Sequence, residues 1–210
     1  MPIAVLTFEG FNELDSLIAS GMLNMAFVGL KQPKLRAMIV CPSDRVASMN
    51  GVVVEAQAPL SFVREADAVI VGSGTHTREI VQMPSLMEEL NLDPSRQIIG
   101  AQCSGALVLA KLGFLTGVPA CTDSTSKPWV EEAGVEVLDE PFFAHKNVAT
   151  AGGCLSSHYL AAWVIARLAG WEVAEAVVHY VAPVGQRKEY VARARAVLER
   201  YLPEQGAAAV

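Results

Sequence analysis

The sequence has little basic charge and no basic face. Sixteen Lys and Arg stand against 22 Asp and Glu, which gives a formal net charge of −6. The only basic cluster, residues 187–200, is broken by Glu189 and Glu199, as on a solvated helix face. Because a nucleic-acid surface needs concentrated positive charge, we expect no nucleic-acid partner.

Long uncharged apolar segments are also missing. The most apolar long segment, 159–178, contains Arg167, Glu172 and Glu175, and it therefore falls short of a membrane span. The first residues, MPIAVLTFEG, lack the basic region of a signal peptide and are typical of a first strand. We expect neither a membrane span nor a secretion signal.

The chain has four cysteines but no cysteine motif. No two of them are spaced as CxxC, so neither a zinc site nor a thioredoxin-like redox motif is indicated. A reduced, cytoplasmic protein is the simplest interpretation. Cys121 and Cys154 could approach Cys103 in the fold, but their pairing cannot be read from the sequence.

What the sequence does contain is an alternation of short apolar runs and helical patterns. Five apolar runs are predicted strands, several of them apolar on both faces as in buried parallel strands: 2–8, 35–41, 68–72, 97–102 and 148–151. Six helical patterns are 14–28, 79–90, 104–112, 156–168, 172–181 and 188–201, and the final GAAAV is expected to fray. The alternation predicts one α/β domain over 1–210, with an open, mostly parallel sheet and helices on both faces.

Ligands of open α/β sheets bind beyond the carboxyl ends of the strands. Five segments are predicted to lie along this edge: 9–15, 72–75, 103–105, 121–123 and 152–154. If they do, Asp15, Asp123 and Cys103 can meet although they are far apart in the sequence.

The segment RQIIGAQCSGALVLAKLGFLTG passes from a strand into a helix at Cys103, with almost no loop. So tight a turn strains the backbone and lifts the side chain out of the sheet, and the small Ser104 and Gly105 leave room for it. The helix N-terminus should lower the pKa of the thiol, and the N–H of Ser104 should form half of an oxyanion hole. A small buried structural cysteine is the alternative. Since such a cysteine does not need this turn, we expect a reactive thiol.

The other candidates each have a structural alternative. Asp15 or Glu13 could carry a proton for the thiol or simply favour the helix dipole, and one sequence does not separate them. The GSGT turn lacks the further glycine of a dinucleotide fingerprint, which favours a turn that aims the N–H of Gly74 at Cys103. Asp123, the third candidate catalytic residue, could instead cap the following helical turn. His158 lies on a mostly apolar helix and is more typical of a structural histidine.

Together these parts resemble the ThiJ/PfpI superfamily, a branch of the class I glutamine amidotransferase-like fold. The resemblance covers nearly the whole chain, through NELDS, GSGT, AQCSGALVLAKLGFLTG and TAGGCLSSHYLAAWVIARLAG. It implies a flavodoxin-like sheet with a nucleophile elbow, a homodimer, a small-molecule substrate, and no metal or organic cofactor.

The resemblance also implies roles for individual residues. Cys103 matches the nucleophile, and Asp15 matches the acid that touches it, which is usually Glu but is Asp in the isocyanide hydratase branch. Gly74 and Ser104 match the oxyanion-hole donors, and Gly153 is placed with them in the substrate-binding set.

One position departs from the family pattern, because Asp123 stands where many members have histidine. A carboxylate there should oppose ionisation of the cysteine, which disfavours glyoxalase, deglycase and Cys-His peptidase mechanisms. The function expected is therefore a cysteine-dependent hydratase or lyase resembling isocyanide hydratase. The alternatives are a non-enzymatic redox or small-molecule sensor, and a glyoxalase, deglycase or amidase-type relative with altered or lost activity. The same fold serves in AraC-like regulators, but no basic recognition helix is evident in this sequence.

Overall fold

A six-stranded sheet lies at the centre of the computed structural model, which describes residues 1–29 and 35–202. The strands are β1 (Pro2–Leu6), β2 (Arg36–Val40), β3 (Arg45–Ala47), β4 (Val53–Glu55), β5 (Ala68–Val71), β6 (Ile98–Gln102), β7 (Phe142–His145) and β8 (Val148–Ala151). The sheet has the order β2-β1-β5-β6-β8-β7, and every pair is parallel except β7 with β8. Strands β3 and β4 form a separate antiparallel pair.

Helices cover both faces of this sheet. They are α1 (Glu13–Gly29), α2 (Thr77–Ile80), α3 (Pro84–Leu90), α4 (Gly105–Lys111), α5 (Lys127–Glu132), α6 (Ser157–Ala169), α7 (Trp171–Val181) and α8 (Arg187–Leu198). Helices α1, α6, α7 and α8 pack on one face, and α2 to α5 pack on the other. The predicted fold class, a mostly parallel α/β sheet between two helical layers, is confirmed.

The continuous apolar runs of the central strands follow from this double cover. Within β1, Ile3 and Val5 pack into the core on the α1 side, while Ala4 and Leu6 pack into the core on the α4 side. All four residues of β5 are likewise fully buried. A strand covered on both faces has no solvent side, so its sequence shows no polar alternation.

The five predicted strands are present with ends shifted by no more than two residues, but one predicted helix is wrong. The pattern over 79–90 is divided into α2 and α3, because Pro84 has no N–H to donate and disfavours helical geometry at Met83. The edge strand β7 and the β3–β4 pair were not predicted, and unlike the fully buried β5 and β8 each of these strands has an exposed residue. The GAAAV tail lies outside the described residues.

The apolar segment 159–178 is divided between α6 and α7. The break falls at Gly170, whose φ of 92° lies in the region that favours glycine. Within 1–29 and 35–202, no helix is both long and apolar enough to cross a membrane.

A substitution at Gly105 tests how tightly α4 approaches β5. A methyl group there would lie 2.7 Å from the carbonyl oxygen of Val71 and 2.9 Å from that of Gly72. Neither oxygen can move without shifting the end of β5, so Gly105→Ala should lower the free energy of unfolding by about 1–3 kcal/mol. Gly100→Ala is the matched control, because the atoms nearest to its methyl group would be side-chain carbons of Leu160 and not backbone atoms. Urea unfolding compares the two variants, and an equal loss in both would contradict this account of the crossing.

Candidate active site

The backbone at Cys103 has the strained geometry that the sequence predicts. Its φ is 43°, a conformation that is uncommon for a residue with a Cβ. Two hydrogen bonds hold it there: its N–H donates to Ala151 O at 2.8 Å, and its own carbonyl accepts from Thr122 Oγ1 at 2.7 Å. The turn between β6 and α4 is therefore a nucleophile elbow.

The expectation of a lowered pKa at Cys103 is wrong. The side chain is only 3% exposed, and this burial raises the pKa of the thiol far above its ordinary value. The negative charges of Asp15 and Asp123 raise it further. Because burial and these charges disfavour the thiolate, we infer that Cys103 is a neutral thiol near neutral pH.

Asp15 lies in the first turn of α1 and is completely buried against the cysteine. Ser73 Oγ donates a short hydrogen bond to its Oδ2, and Ser157 Oγ lies 3.5 Å from its Oδ1. Burial raises the pKa of Asp15, while hydrogen bonds from Ser73 and Cys103 act in the opposite direction. The Cys103 thiol is thus hydrogen-bonded to a carboxyl group whose pKa lies above its ordinary value, and a proton can pass between the two groups.

Glu13, the other acid in this turn, forms its side-chain hydrogen bond away from Cys103. Its Oε1 accepts a hydrogen bond of 2.9 Å from Asn50 Nδ2 in the segment between β3 and β4. Hydrogen bonds to its own backbone and to Asn50 lower its pKa, which is the reverse of what a proton carrier needs. The structure therefore separates the two acids that the sequence leaves open, and Asp15 is the one beside Cys103.

Ser104 and Gly74 lie together next to the elbow, as predicted. The N–H of Ser104 donates to no protein acceptor in the described part of the chain, so it is available to a substrate oxygen. The N–H of Gly74 instead donates to Ser104 Oγ at 3.1 Å, and Ser104 Oγ also contacts Thr77 Oγ1 at 2.8 Å. The oxyanion role of Gly74 stays a prediction, and it requires the Ser104 hydroxyl to turn away.

Gly153 precedes a 3₁₀ turn, Cys154–Ser156, that brings a second thiol into the site. Its φ of 84° favours glycine. The turn places the Sγ of Cys154 so that this atom, the Sγ of Cys103 and a carboxylate oxygen of Asp15 all lie within 4.8 Å of one another. Asn12 Nδ2 donates to Cys154 Sγ at 3.1 Å. A substrate-binding role for Gly153 stays a prediction.

Asp123 has the capping role that the sequence offers as its alternative. Its Oδ1 accepts from the N–H groups of Thr125 and Ser126, at 2.9 and 3.0 Å. Its negative charge nevertheless helps to raise the pKa values of Cys103 and Asp15. The predicted opposition of Asp123 to ionisation of the thiol therefore agrees with the electrostatics of the site.

His158 is structural, as its apolar helix indicates. Its ring packs on Tyr159 with the ring centroids 3.8 Å apart, and Nδ1 contacts the carbonyl of Leu155. Burial lowers its pKa, and it lines an apolar cavity between α1, α6 and α7.

The hydrogen-bond partners of Asp15 and Cys154 were not predicted from the sequence. Ser73, Ser157 and Asn12 are polar residues of types common in loops and helix starts, and nothing in their spacing marks them. Cys154 belongs to a predicted strand end, so its approach to Cys103 could be anticipated but not its distance.

The same three side chains offer donor atoms to a metal ion. Two cysteine sulfurs and one carboxylate oxygen are ligand types that zinc accepts. Both thiols would have to lose their protons, although burial raises the pKa of each. The expectation of a site without metal or organic cofactor stays a prediction.

Comparison with known proteins places these features in a family. Residues 1–167 match the model of the DJ-1/PfpI family. No curated protein sequence matches the chain significantly.

Solved structures resemble the chain over most of its length. DJ-1 from Schizosaccharomyces pombe is 17% identical with a TM-score of 0.73, covering 87% of this chain and 100% of that one. An AraC family transcriptional regulator from Pseudomonas putida is 20% identical with a TM-score of 0.75, covering 86% and 99%. The DJ-1 superfamily protein STM1931 from Salmonella typhimurium is 21% identical with a TM-score of 0.72, covering 87% and 98%. At these identities the structures show a common fold.

The raised pKa of Cys103 predicts how the thiol reacts with iodoacetamide. The labelling rate should show no plateau near neutral pH and should still rise above about pH 8.5, the ordinary thiol value, because burial and two carboxylates disfavour the thiolate. Asp15→Asn removes a negative charge, lowers the pKa of Cys103 and should speed labelling several-fold at a fixed pH. Asp123→Asn should act in the same direction but less. Peptide mass spectrometry locates the label, and a wild-type plateau below about pH 7 would contradict this electrostatic account.

Proposed function

The chain belongs to the DJ-1/PfpI family, and from its Cys103–Asp15 pair we propose that it is a cysteine-dependent enzyme that hydrates a small isocyanide. The observation that carries this proposal is a buried thiol hydrogen-bonded to a buried carboxylate. Of the titratable groups that shift the pKa of Cys103, none is a histidine: they are Asp15, Asp123 and Cys154. A mechanism that starts from a cysteine–histidine ion pair has no support in this arrangement.

The first step transfers the proton of the Cys103 thiol to the substrate. The Cys103 sulfur attacks the terminal carbon of the isocyanide while Asp15 accepts the thiol proton and passes it to the same carbon. One S–C bond and one C–H bond form, and the product is a thioimidate. Because attack and proton transfer are coupled, the thiol does not have to ionise beforehand, and its raised pKa is no obstacle.

The second step consumes water. Asp15 takes one proton from the water that adds to the thioimidate carbon and passes it to the nitrogen. The C–S bond then breaks, the remaining hydroxyl proton passes through Asp15 to the cysteine sulfur, and an N-formamide leaves. The free N–H of Ser104 stabilises negative charge on the added oxygen, and one such donor contributes about 3 kcal/mol.

A second candidate function is a sensor that binds a small molecule without turnover. The neutral state and burial of Cys103 favour it, because a resting thiol of raised pKa is a poor free nucleophile. The described fold is also shared with a protein named as an AraC family transcriptional regulator. A glyoxalase, deglycase or amidase-type activity is the remaining alternative.

We propose further that the chain works as a homodimer in a reducing, cytoplasmic compartment. Leu17, Leu155 and Val181 line one apolar cavity of about 630 Å³ and are 39%, 73% and 44% exposed. Exposed apolar patches of this kind are typical of protein contacts, and a second copy would cover them. Since Leu155 directly follows Cys154, such a contact would border the active site. All four cysteines are free, which suits a reducing compartment.

Hydration activity tests the proposed chemistry. Wild type should convert an alkyl or aryl isocyanide to its N-formamide, followed by mass spectrometry, and Cys103→Ala should remove that activity. Asp15→Asn should lower kcat by about 100- to 10,000-fold, because it removes the proton carrier. Glu13→Gln is the matched control, an acid from the same helical turn, and should change kcat by no more than about twofold. Hydration that survives in Cys103→Ala would refute the mechanism, and turnover of glyoxal but not of isocyanides would favour the other enzyme class.

Light scattering tests the dimer. Leu155→Glu places a charge in the apolar patch and should shift the protein from dimer to monomer at micromolar concentration. Met83→Glu is the control, since Met83 is also half-exposed but precedes α3 on the opposite face of the sheet. A wild-type monomer, or equal dissociation of both variants, would argue against this interface.

A further inference from the structure

Cys154 is a second thiol in the site that hydration does not use. Its sulfur lies within 4.8 Å of both the Cys103 sulfur and an Asp15 oxygen. The other two cysteines, Cys41 and Cys121, are buried away from this cluster, and burial raises their pKa values to about 11 and about 12. Two free thiols beside a proton acceptor are the components of a disulfide switch.

The two thiols differ in access to solvent. Cys103 is 3% exposed, whereas Cys154 is only partly buried in the turn that follows Gly153. A small oxidant therefore reaches the sulfur of Cys154 first. The hydrogen bond from Asn12 Nδ2 to that sulfur partly offsets burial and the charge of Asp15, which together raise the pKa of Cys154.

We propose that Cys154 and Cys103 form a redox-active pair, in which a hydroperoxide closes an intramolecular disulfide that removes the Cys103 nucleophile. In the first step the Cys154 sulfur takes one oxygen from the hydroperoxide, which leaves as water or an alcohol, and a sulfenic acid forms. In the second step Cys103 attacks that sulfur, the S–O bond breaks and water leaves. Together the two thiols lose two electrons and two protons.

Asp15 suits the second step because it contacts both sulfurs. It accepts the Cys103 proton during the attack and delivers it to the departing oxygen, as it serves Cys103 in hydration. The sulfurs must then move to bonding distance, about 2.05 Å apart. A dithiol reductant restores the nucleophile by exchange.

The pair does not depend on the identity of the substrate. It needs the two thiols, the carboxylate between them and a hydroperoxide. The state of the thiols can therefore be measured whether or not the protein hydrates isocyanides.

Mass spectrometry of the full chain after peroxide treatment tests the pair. The protein is first treated with a chelator so that no bound metal shields the thiols, then oxidised, alkylated and digested without reduction. We expect a peptide that links Cys103 to Cys154, an intact mass lower by two hydrogens, and loss of iodoacetamide labelling at Cys103. Dithiothreitol should reverse all three changes.

Three variants distinguish this pair from general oxidation. In Cys154→Ser the disulfide should be absent, and oxidation at Cys103 should slow by roughly tenfold or more, since the accessible thiol is gone. In Cys103→Ser the sulfenic acid at Cys154 should persist and react with dimedone. Cys121→Ser also removes one cysteine, but it should still form the disulfide at the wild-type rate. Sulfinic acid at Cys103 of the wild-type protein, without a disulfide, would overturn the proposal. It would also be overturned if both thiols stay reduced while the same oxidant is consumed by an added free thiol.

Discussion

A single buried carboxylate determines the chemistry of this site. Asp15 has no exposed surface, yet it lies beside two thiols and accepts a hydrogen bond from Ser73 Oγ. A buried charge is costly unless it has partners, so the site binds one proton more readily than solvent-exposed groups would. The raised pKa values of Asp15 and Cys103 are both consequences of this burial.

Transfer of the thiol proton to Asp15 would explain how a neutral Cys103 can still react. A thiol that ionises at rest can react with any electrophile that reaches it, whereas in the hydration we propose the neutral Cys103 thiol attacks as its proton passes to Asp15. In the two reactions that we propose, the same transfer serves attack on an isocyanide carbon and attack on an oxidised Cys154, so the two reactions would compete for one proton acceptor.

The elbow itself was predictable because its causes are local. A strand that runs directly into a helix, followed by Ser104 and Gly105, leaves few backbone solutions, and Cys103 adopts the strained one at a φ of 43°. The central strands were predictable for a similar reason, since burial on both faces leaves a continuous apolar run. The break before Pro84 was missed because apolar spacing continued across it, although the proline itself was visible.

The sequence by itself determined the sheet, the elbow and the set of strand ends that carry the candidate residues, because these follow from apolar spacing and backbone geometry over a few neighbouring positions. Only the tertiary structure decided between Asp15 and Glu13, showed that Asp123 caps its own turn, and brought Cys154 to Cys103. It also reversed the expected pKa of the cysteine. Desolvation and the negative charges of Asp15 and Asp123 act on Cys103 through space from other parts of the sequence, and no local pattern encodes them.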